Sequence, residues 1–258
     1  MCTVTGGSGT LMTSAGPSVA AITCTSTATA GGASGVSHSS DIYASRSAVA
    51  HQTPGARQGA ASFADGAGNF WLFGGTGYDS AHNACSFSDL WRLAMDSNRW
   101  TLIAGSDANN AAGRYGTQGV SSPNVGPGAR AYATTWTDAG GNLWLFGGQG
   151  RDGAGTLGLL NDLWKFTVDN DQWTWVAGSD KANAPGAYEG DTGPTPDKVP
   201  AARSGAVSWI DSAGNLWLFG GYGIDPTGAV GTLNDLWQFT PATGSWTRMS
   251  GSLTSAGA

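Results

Sequence analysis

The chain is poor in charge. Of its 258 residues, 12% are Asp, Glu, Lys or Arg, about half the usual share. Lysine occurs only at Lys165, Lys181 and Lys198, and the formal net charge is −6 at pH 7. Nucleic acid or an anionic membrane surface calls for a basic patch, and this composition supplies none. No apolar run approaches the roughly 18 residues of a membrane-spanning helix, so membrane insertion is not expected. Residues 1–24 have neither a basic start nor a continuous apolar stretch, and do not read as a signal peptide. Glutamate occurs once, at Glu189, which restricts a glycosidase scheme to pairs of Asp. Histidine occurs at His38, His51 and His82, with no zinc-type spacing of His or Cys. No Gly-x-Ser-x-Gly elbow is present to raise a serine nucleophile. Apolar residues do not recur with the period of about 3.6 that marks a helix. No cofactor and no metal are expected.

Glycine and tryptophan are abundant, at 42 and 12 residues. Their placement is periodic. Pro54-Gly-Ala-Arg57 recurs as Pro127-Gly-Ala-Arg130 and as Pro200-Ala-Ala-Arg203, 73 residues apart each time. Gly68-Asn-Phe-Trp-Leu-Phe-Gly-Gly75 returns at Gly141 to Gly148 and at Gly214 to Gly221. Asp89-Leu-Trp91, Asp162-Leu-Trp164 and Asp235-Leu-Trp237 keep the phase, as do Trp100, Trp173 and Trp246. No insertion separates the matched blocks, so one unit has been copied twice. The copies run over 54–126, 127–199 and 200–258.

Each copy reads as four short strands. In the third, Arg203 to Asp211 alternates small and large residues and ends in the turn composition Asp211-Ser-Ala-Gly-Asn215. Asn215 to Phe219 is an apolar run ending in a glycine pair that permits a sharp exit. Asp235 to Thr240 alternates again, and a turn leads into Trp246 to Met249. The 1–2 and 3–4 connections are tight. The 2–3 connection (Gln149 to Asn161) and the 4–1 connection (Gly178 to Val199) are long. In an antiparallel meander the two long connections emerge at the same end, where function is sought.

The glycine pair after an apolar strand, the Asp-Leu-Trp and the following Trp resemble the kelch motif, over residues 54–252. The resemblance implies an all-β fold, a kelch-type β-propeller of three four-stranded blades with a 73-residue period against roughly 50 in an ordinary kelch repeat. Closed propellers use about 4–8 blades, so this chain is expected to be an incomplete ring, completed by a homodimer or by further blades of a longer parent chain. Galactose oxidase carries such a propeller, with a copper site of two His and two Tyr. No His lies in the second or third copy, so that site cannot be carried over. The sialidase box Ser-x-Asp-x-Gly-x-Thr-Trp is absent from the third-to-fourth turns.

Residues 1–53 lack the repeat. Cys2 to Cys24 resembles the tail of small β-sandwich modules of bacterial surface proteins, with 25–53 a Ser/Thr/Ala/Gly-rich linker. That resemblance implies a Cys2–Cys24 disulfide in an oxidising compartment, leaving Cys85 over. Disorder throughout 1–53 is the other reading, and Tyr43 to Arg57 echoes Tyr115 to Arg130 as a degenerate 4–1 loop.

Three groups of residues are candidates for a role. Eleven Trp occupy four repeat positions, which favours packing between copies over sugar stacking, with Trp175 unmatched at an outer edge. Arg57, Arg130 and Arg203 are expected to pair with Asp89, Asp162 and Asp235 beneath the loops; a ring of arginines gripping an anion is the alternative. In the 2–3 connections Tyr78, Asp79, Arg151, Asp152, Tyr222 and Asp225 are the candidate ligand-binding residues. The repeated Asp fits either calcium or an Asx-turn. Function is expected to be that of a secreted or cell-surface binding or adhesion module for a protein or glycan. An extracellular carbohydrate-active oxidase or epimerase, or a purely structural surface repeat, are the alternatives.

Overall fold

The computed structural model describes residues 53–79, 82–106, 108–188 and 198–255. The Cys2–Cys24 pair, the linker up to residue 52 and the Tyr43 echo lie outside the described residues. Within them the protein is all-β, with no helix, built of antiparallel strands in several open sheets.

The second copy shows the plan. Thr134–Thr137, Leu143–Arg151, Leu157–Thr167 and Gln172–Ala177 pair in sequence order, and Arg130–Ala131 and Ser121–Ser122 add short flanking pairings. The third copy repeats it with Val207–Ile210, Leu216–Ile224, Val230–Thr240 and Ser245–Ser250. Alternation along each strand sends one set of apolar side chains to each face, so both faces of a sheet can be buried.

Two expectations are corrected here. The glycine pair does not end the second strand. Gly147 and Gly148 both have positive φ and form a bulge, where the register shifts between Phe146 and Gly148, and pairing resumes from Gly148↔Leu160 to Arg151↔Leu157. Gly220 and Gly221 do the same. The 2–3 connection is therefore mostly strand, closed by a tight turn at 152–156 or 225–229. A bulge re-aims a strand without ending it, and sequence composition at two glycines is the same for either outcome.

The first copy differs again. Its ladder divides at the bulge into a sheet of Ala61–Ala64, Phe70–Phe73, Leu90–Ala94 and Arg99–Ala104, and a smaller one of Arg57–Gln58, Thr76–Tyr78 and Ala84–Ser86. One four-stranded sheet per copy is thus not what the first copy forms. Gly74 N–H to Asp89 O (3.1 Å) and Phe87 N–H to Gly75 O (2.9 Å) span the gap. Here Phe87-Ser88 replaces Leu160-Asn161 and Leu233-Asn234, and the Phe87 ring lies under the Arg57 guanidinium, 4.5 Å from its centroid.

The copies pack face to face through aromatic rings. Trp71 meets Phe166 at 5.7 Å and Phe73 meets Trp173 at 5.4 Å between the first and second. Trp144 meets Phe239 at 5.8 Å and Phe146 meets Trp246 at 5.3 Å between the second and third. Among the described residues the two larger hydrophobic cores are these inter-copy layers, and Leu159, Ala202 and Ile224 form a third, smaller cluster. Backbone bonds also join the copies: Tyr132 N–H donates to Gly59 O at 2.7 Å and Gly205 N–H to Tyr132 O at 3.0 Å. Trp175 is no outer-edge residue: it packs edge-on against Tyr115 at 5.1 Å and is partly buried in the first core.

Candidate functional site

Beneath the long-loop end, each copy holds a charge pair. Arg57, Arg130 and Arg203 sit at the start of the first strand, and Asp89, Asp162 and Asp235 in the third segment. The pairs are bidentate, at 2.6 and 2.9 Å, 2.6 and 2.7 Å, and 2.6 and 2.8 Å. Each guanidinium also donates to two carbonyls, in the second copy those of Gly128 and Gly147. Each carboxylate accepts from the next Trp, at 2.6 Å from Trp164. Every Arg therefore points into its own copy, and a ring of arginines open to an anion is not what is seen.

Two residues that the sequence reading passed over complete this network. Tyr115 and Tyr188, from the 4–1 connections, donate to Asp162 (2.7 Å) and Asp235 (2.9 Å) of the following copy. Their own 73-residue spacing was the available signal. Burial, with the neighbouring Asp235 charge, pushes the Tyr188 phenol up to about 12 despite the opposing Arg203 charge. Burial pushes Tyr115 up further. Both stay protonated donors, and both tie a loop base to the next sheet.

The repeated loop aspartates shape turns. Asp152 Oδ1 accepts from Ala154 N–H and Thr156 N–H (2.9 and 2.7 Å), and Oδ2 from Ala182 N–H (2.9 Å). Asp225 accepts in the same way from Thr227, Ala229 and Ser255. Asp79 holds Asn83. These are Asx-turns, and the two buried carboxylates spend their oxygens on the chain itself. Among the described residues no cluster of three or more His, Cys, Asp or Glu is placed to hold a metal ion. Arg151 donates to Gly155 O at 3.0 Å across the same turn. Tyr78 projects from the first copy, 69% exposed.

Between the second and third copies the loop end opens into a cleft of about 440 Å³, whose walls include Gln149, Leu159, Asn183, Ser204, Tyr222 and Val230. Of the six candidate residues only Tyr222 lines it. Asn183 uses Oδ1 to accept from Leu159 N–H at 2.9 Å. Gln149, Ser204 and Tyr222 carry uncharged hydrogen-bonding groups, and Leu159, Ile224 and Val230 supply apolar wall. Among the described residues no charged side chain lines the cleft. The arrangement can hold a neutral ligand by hydrogen bonds and contact with one aromatic ring.

At the opposite end, Asp65, Asp138 and Asp211 each cap the tight 1–2 turn and accept from the indole of Trp71, Trp144 or Trp217 at 2.8 to 2.9 Å. Hydrogen bonds from Asn215 and Trp217 hold Asp211 well below the usual carboxylate range. At Asp65 and Asp138 burial works upward, and the bonds outweigh it. Asp235 is likewise lowered, its burial outweighed by Arg203. Depressed carboxylates add stability that is fully present above the unfolded value of about 3.9 and is lost as pH falls through their folded values. Thermal melts should therefore be level from neutral pH to about 4 and drop steeply below it. Asp138→Asn should flatten the drop; an unchanged acid limb in that variant would count against this origin.

No protein-family model matches the chain, and no curated protein matches it. One solved structure similar to it is that described as "Structure of YjhT", at 17% identity and a TM-score of 0.48. The match covers 78% of this chain and 53% of the other, so the chain spans about half the length of that protein.

Proposed function

We propose that the chain is a run of three kelch-type propeller blades serving as a non-catalytic binding module of a secreted or cell-surface protein. Its ligand is a neutral, hydroxyl-rich molecule of the saccharide class, seated in the cleft between the second and third copies. The observation that carries the reading is the lining itself: uncharged amide, hydroxyl and phenol groups around one exposed tyrosine. Tyrosine is enriched at binding hot spots because it combines contact area with a hydrogen-bonding tip. The buried Arg–Asp–Trp–Tyr networks support this by holding the cleft walls rigid, which lowers the ordering cost of binding.

Calorimetric titration with a panel of neutral and acidic oligosaccharides tests it. Saturable binding of a neutral member without release of product is expected. Tyr222→Ala should weaken that binding by about 10-fold or more with no change in melting temperature, because the side chain is 49% exposed. Arg151→Ala, tied to the turn and off the cleft, should weaken it less. Equal losses of binding and stability in Tyr222→Ala, or turnover of the sugar, would overturn the reading.

A further inference from the structure

The first and second copies each turn one face of the sheet toward the copy that follows, using the same four repeat positions. These are Phe63, Trp71, Phe73 and Leu90 in the first copy, and Trp136, Trp144, Phe146 and Leu163 in the second. All eight are at most 5% exposed. In the third copy the set is Trp209, Trp217, Phe219 and Leu236, and nothing described covers it. Trp209 and Phe219 are each 43% exposed and Val207 beside them 62%. Trp209 lies flat on Trp217 with centroids 5.6 Å apart, an open stacked pair. An apolar face of this kind marks an interaction surface.

The complementary face is at the other end of the chain. Toward the preceding copy, the second presents Leu143, Leu145, Phe166 and Trp173, and the third Leu216, Leu218, Phe239 and Trp246, all at most 2% exposed. Their counterparts in the first copy, Phe70, Leu72, Leu93 and Trp100, are only half-buried. A polar marker shows the same asymmetry. Asn161 Nδ2 donates across the second interface to Pro200 O at 3.1 Å, while its Oδ1 accepts from Ser179 N–H. Asn234, its counterpart, has Oδ1 held by Ser252 N–H, and its Nδ2 has no partner among the described residues. The counterpart of Pro200 is Pro54.

We infer that a second copy of this chain covers the third copy's open face with its own first copy, head to tail, with Asn234 donating to the Pro54 carbonyl of the partner subunit. The two open faces are the two halves of an interface the chain already makes twice, which specifies the occupant residue by residue. Residues 1–53 contain neither Trp nor Phe and cannot reproduce that pattern. Two chains joined at both ends would leave neither face open; a head-to-tail contact whose rotation did not close would instead grow into a filament. The inference concerns assembly and does not depend on any ligand in the cleft.

Sedimentation equilibrium of the full chain should give twice its 26.1 kDa mass. Phe219→Arg, at an exposed position, should leave the monomer's near-ultraviolet spectrum intact and weaken self-association by about 100-fold. Asn234→Cys combined with Pro54→Cys should give a cross-linked dimer on oxidation that neither single variant gives. A chain that stays monomeric to about 100 µM, or a dimer indifferent to Phe219→Arg, would overturn the inference. The first result would leave the face to residues 1–53 or to repeats outside this chain, and the second would place the contact elsewhere. A dimer disrupted by Phe219→Arg but cross-linked equally by Asn234→Cys alone would mean two third copies meeting face to face, which also overturns it.

Discussion

Replacing Asp162 by alanine is expected to bring the protein close to unfolding at room temperature. The side chains of Arg130 and Asp162 are both 0% exposed, so the variant leaves a guanidinium buried without its counter-charge. Removing one partner of such a pair costs about 3–5 kcal/mol. Trp164 N–H and the Tyr115 hydroxyl lose the same acceptor, and each orphaned donor adds about 1–3 kcal/mol. A domain's whole stability is about 5–15 kcal/mol. The three copies supply an internal scale. Asp235→Ala should cost somewhat less, since its side chain is 2% exposed and Tyr188 bonds it at 2.9 Å. Asp89→Ala should cost least, because Arg57 is 5% exposed and no tyrosine among the described residues bonds that carboxylate. Urea unfolding of the three variants would read the order. A second check is the double change Arg130→Met with Asp162→Leu, which removes both charges and should recover much of the loss. Equal costs at the three sites would mean that exposure does not set the penalty.

The second large effect is expected at Gly178. It follows the fourth strand with φ of 87°, and a Cβ there would lie 2.1 Å from the Asn161 carbonyl oxygen and 2.7 Å from Asp162 Cα. Both neighbours are backbone, held at the bulge between Leu163 and Trp164, so neither can swing aside. Gly178→Ala therefore combines a left-handed backbone with a clash against a fixed strand, and should cost at least about 3 kcal/mol. Gly244 separates the two contributions. Its φ is 65° and nothing lies within 4 Å of its Cβ position. Gly244→Ala should show only the backbone part, about 1–2 kcal/mol. Matched melts of the two variants would measure the difference, and identical shifts would show that the close approach is relieved by local movement.

Much of this architecture is legible in one dimension because repetition converts spacing into geometry. When Arg, Asp and Trp recur at 73 residues with no insertion, each must occupy an equivalent place, and one periodic Arg per copy makes a repeated ion pair with a periodic Asp the natural expectation; of the three Asp that recur, the structure selects Asp89, Asp162 and Asp235. The absence of helix follows in the same way, from alternation of period two with glycine-rich turns. The role of the loop aspartates was half legible: an Asp after glycines fits a turn or a cation, and only the directions of Ala154, Thr156 and Ala182 N–H showed which.

Other features depend on where distant segments meet. A glycine pair has the same composition whether it ends a strand or bulges within one, and what decides is whether the partner strand continues, as Leu157–Thr167 does and as Thr76–Tyr78 with Ala84–Ser86 does only in a separate sheet. Tyr115 and Tyr188 lie 47 residues before the carboxylates they bond, each in the copy before its acceptor. The cleft at Tyr222 is a property of two neighbouring sheets, and no single copy contains it. The amino-acid sequence by itself determined the repeat, the strands and the periodic charges, because these are local or strictly periodic. The bulges, the loop anchors, the cleft and the open faces were decided by the tertiary structure, because each arises only where one copy packs, or does not pack, against the next.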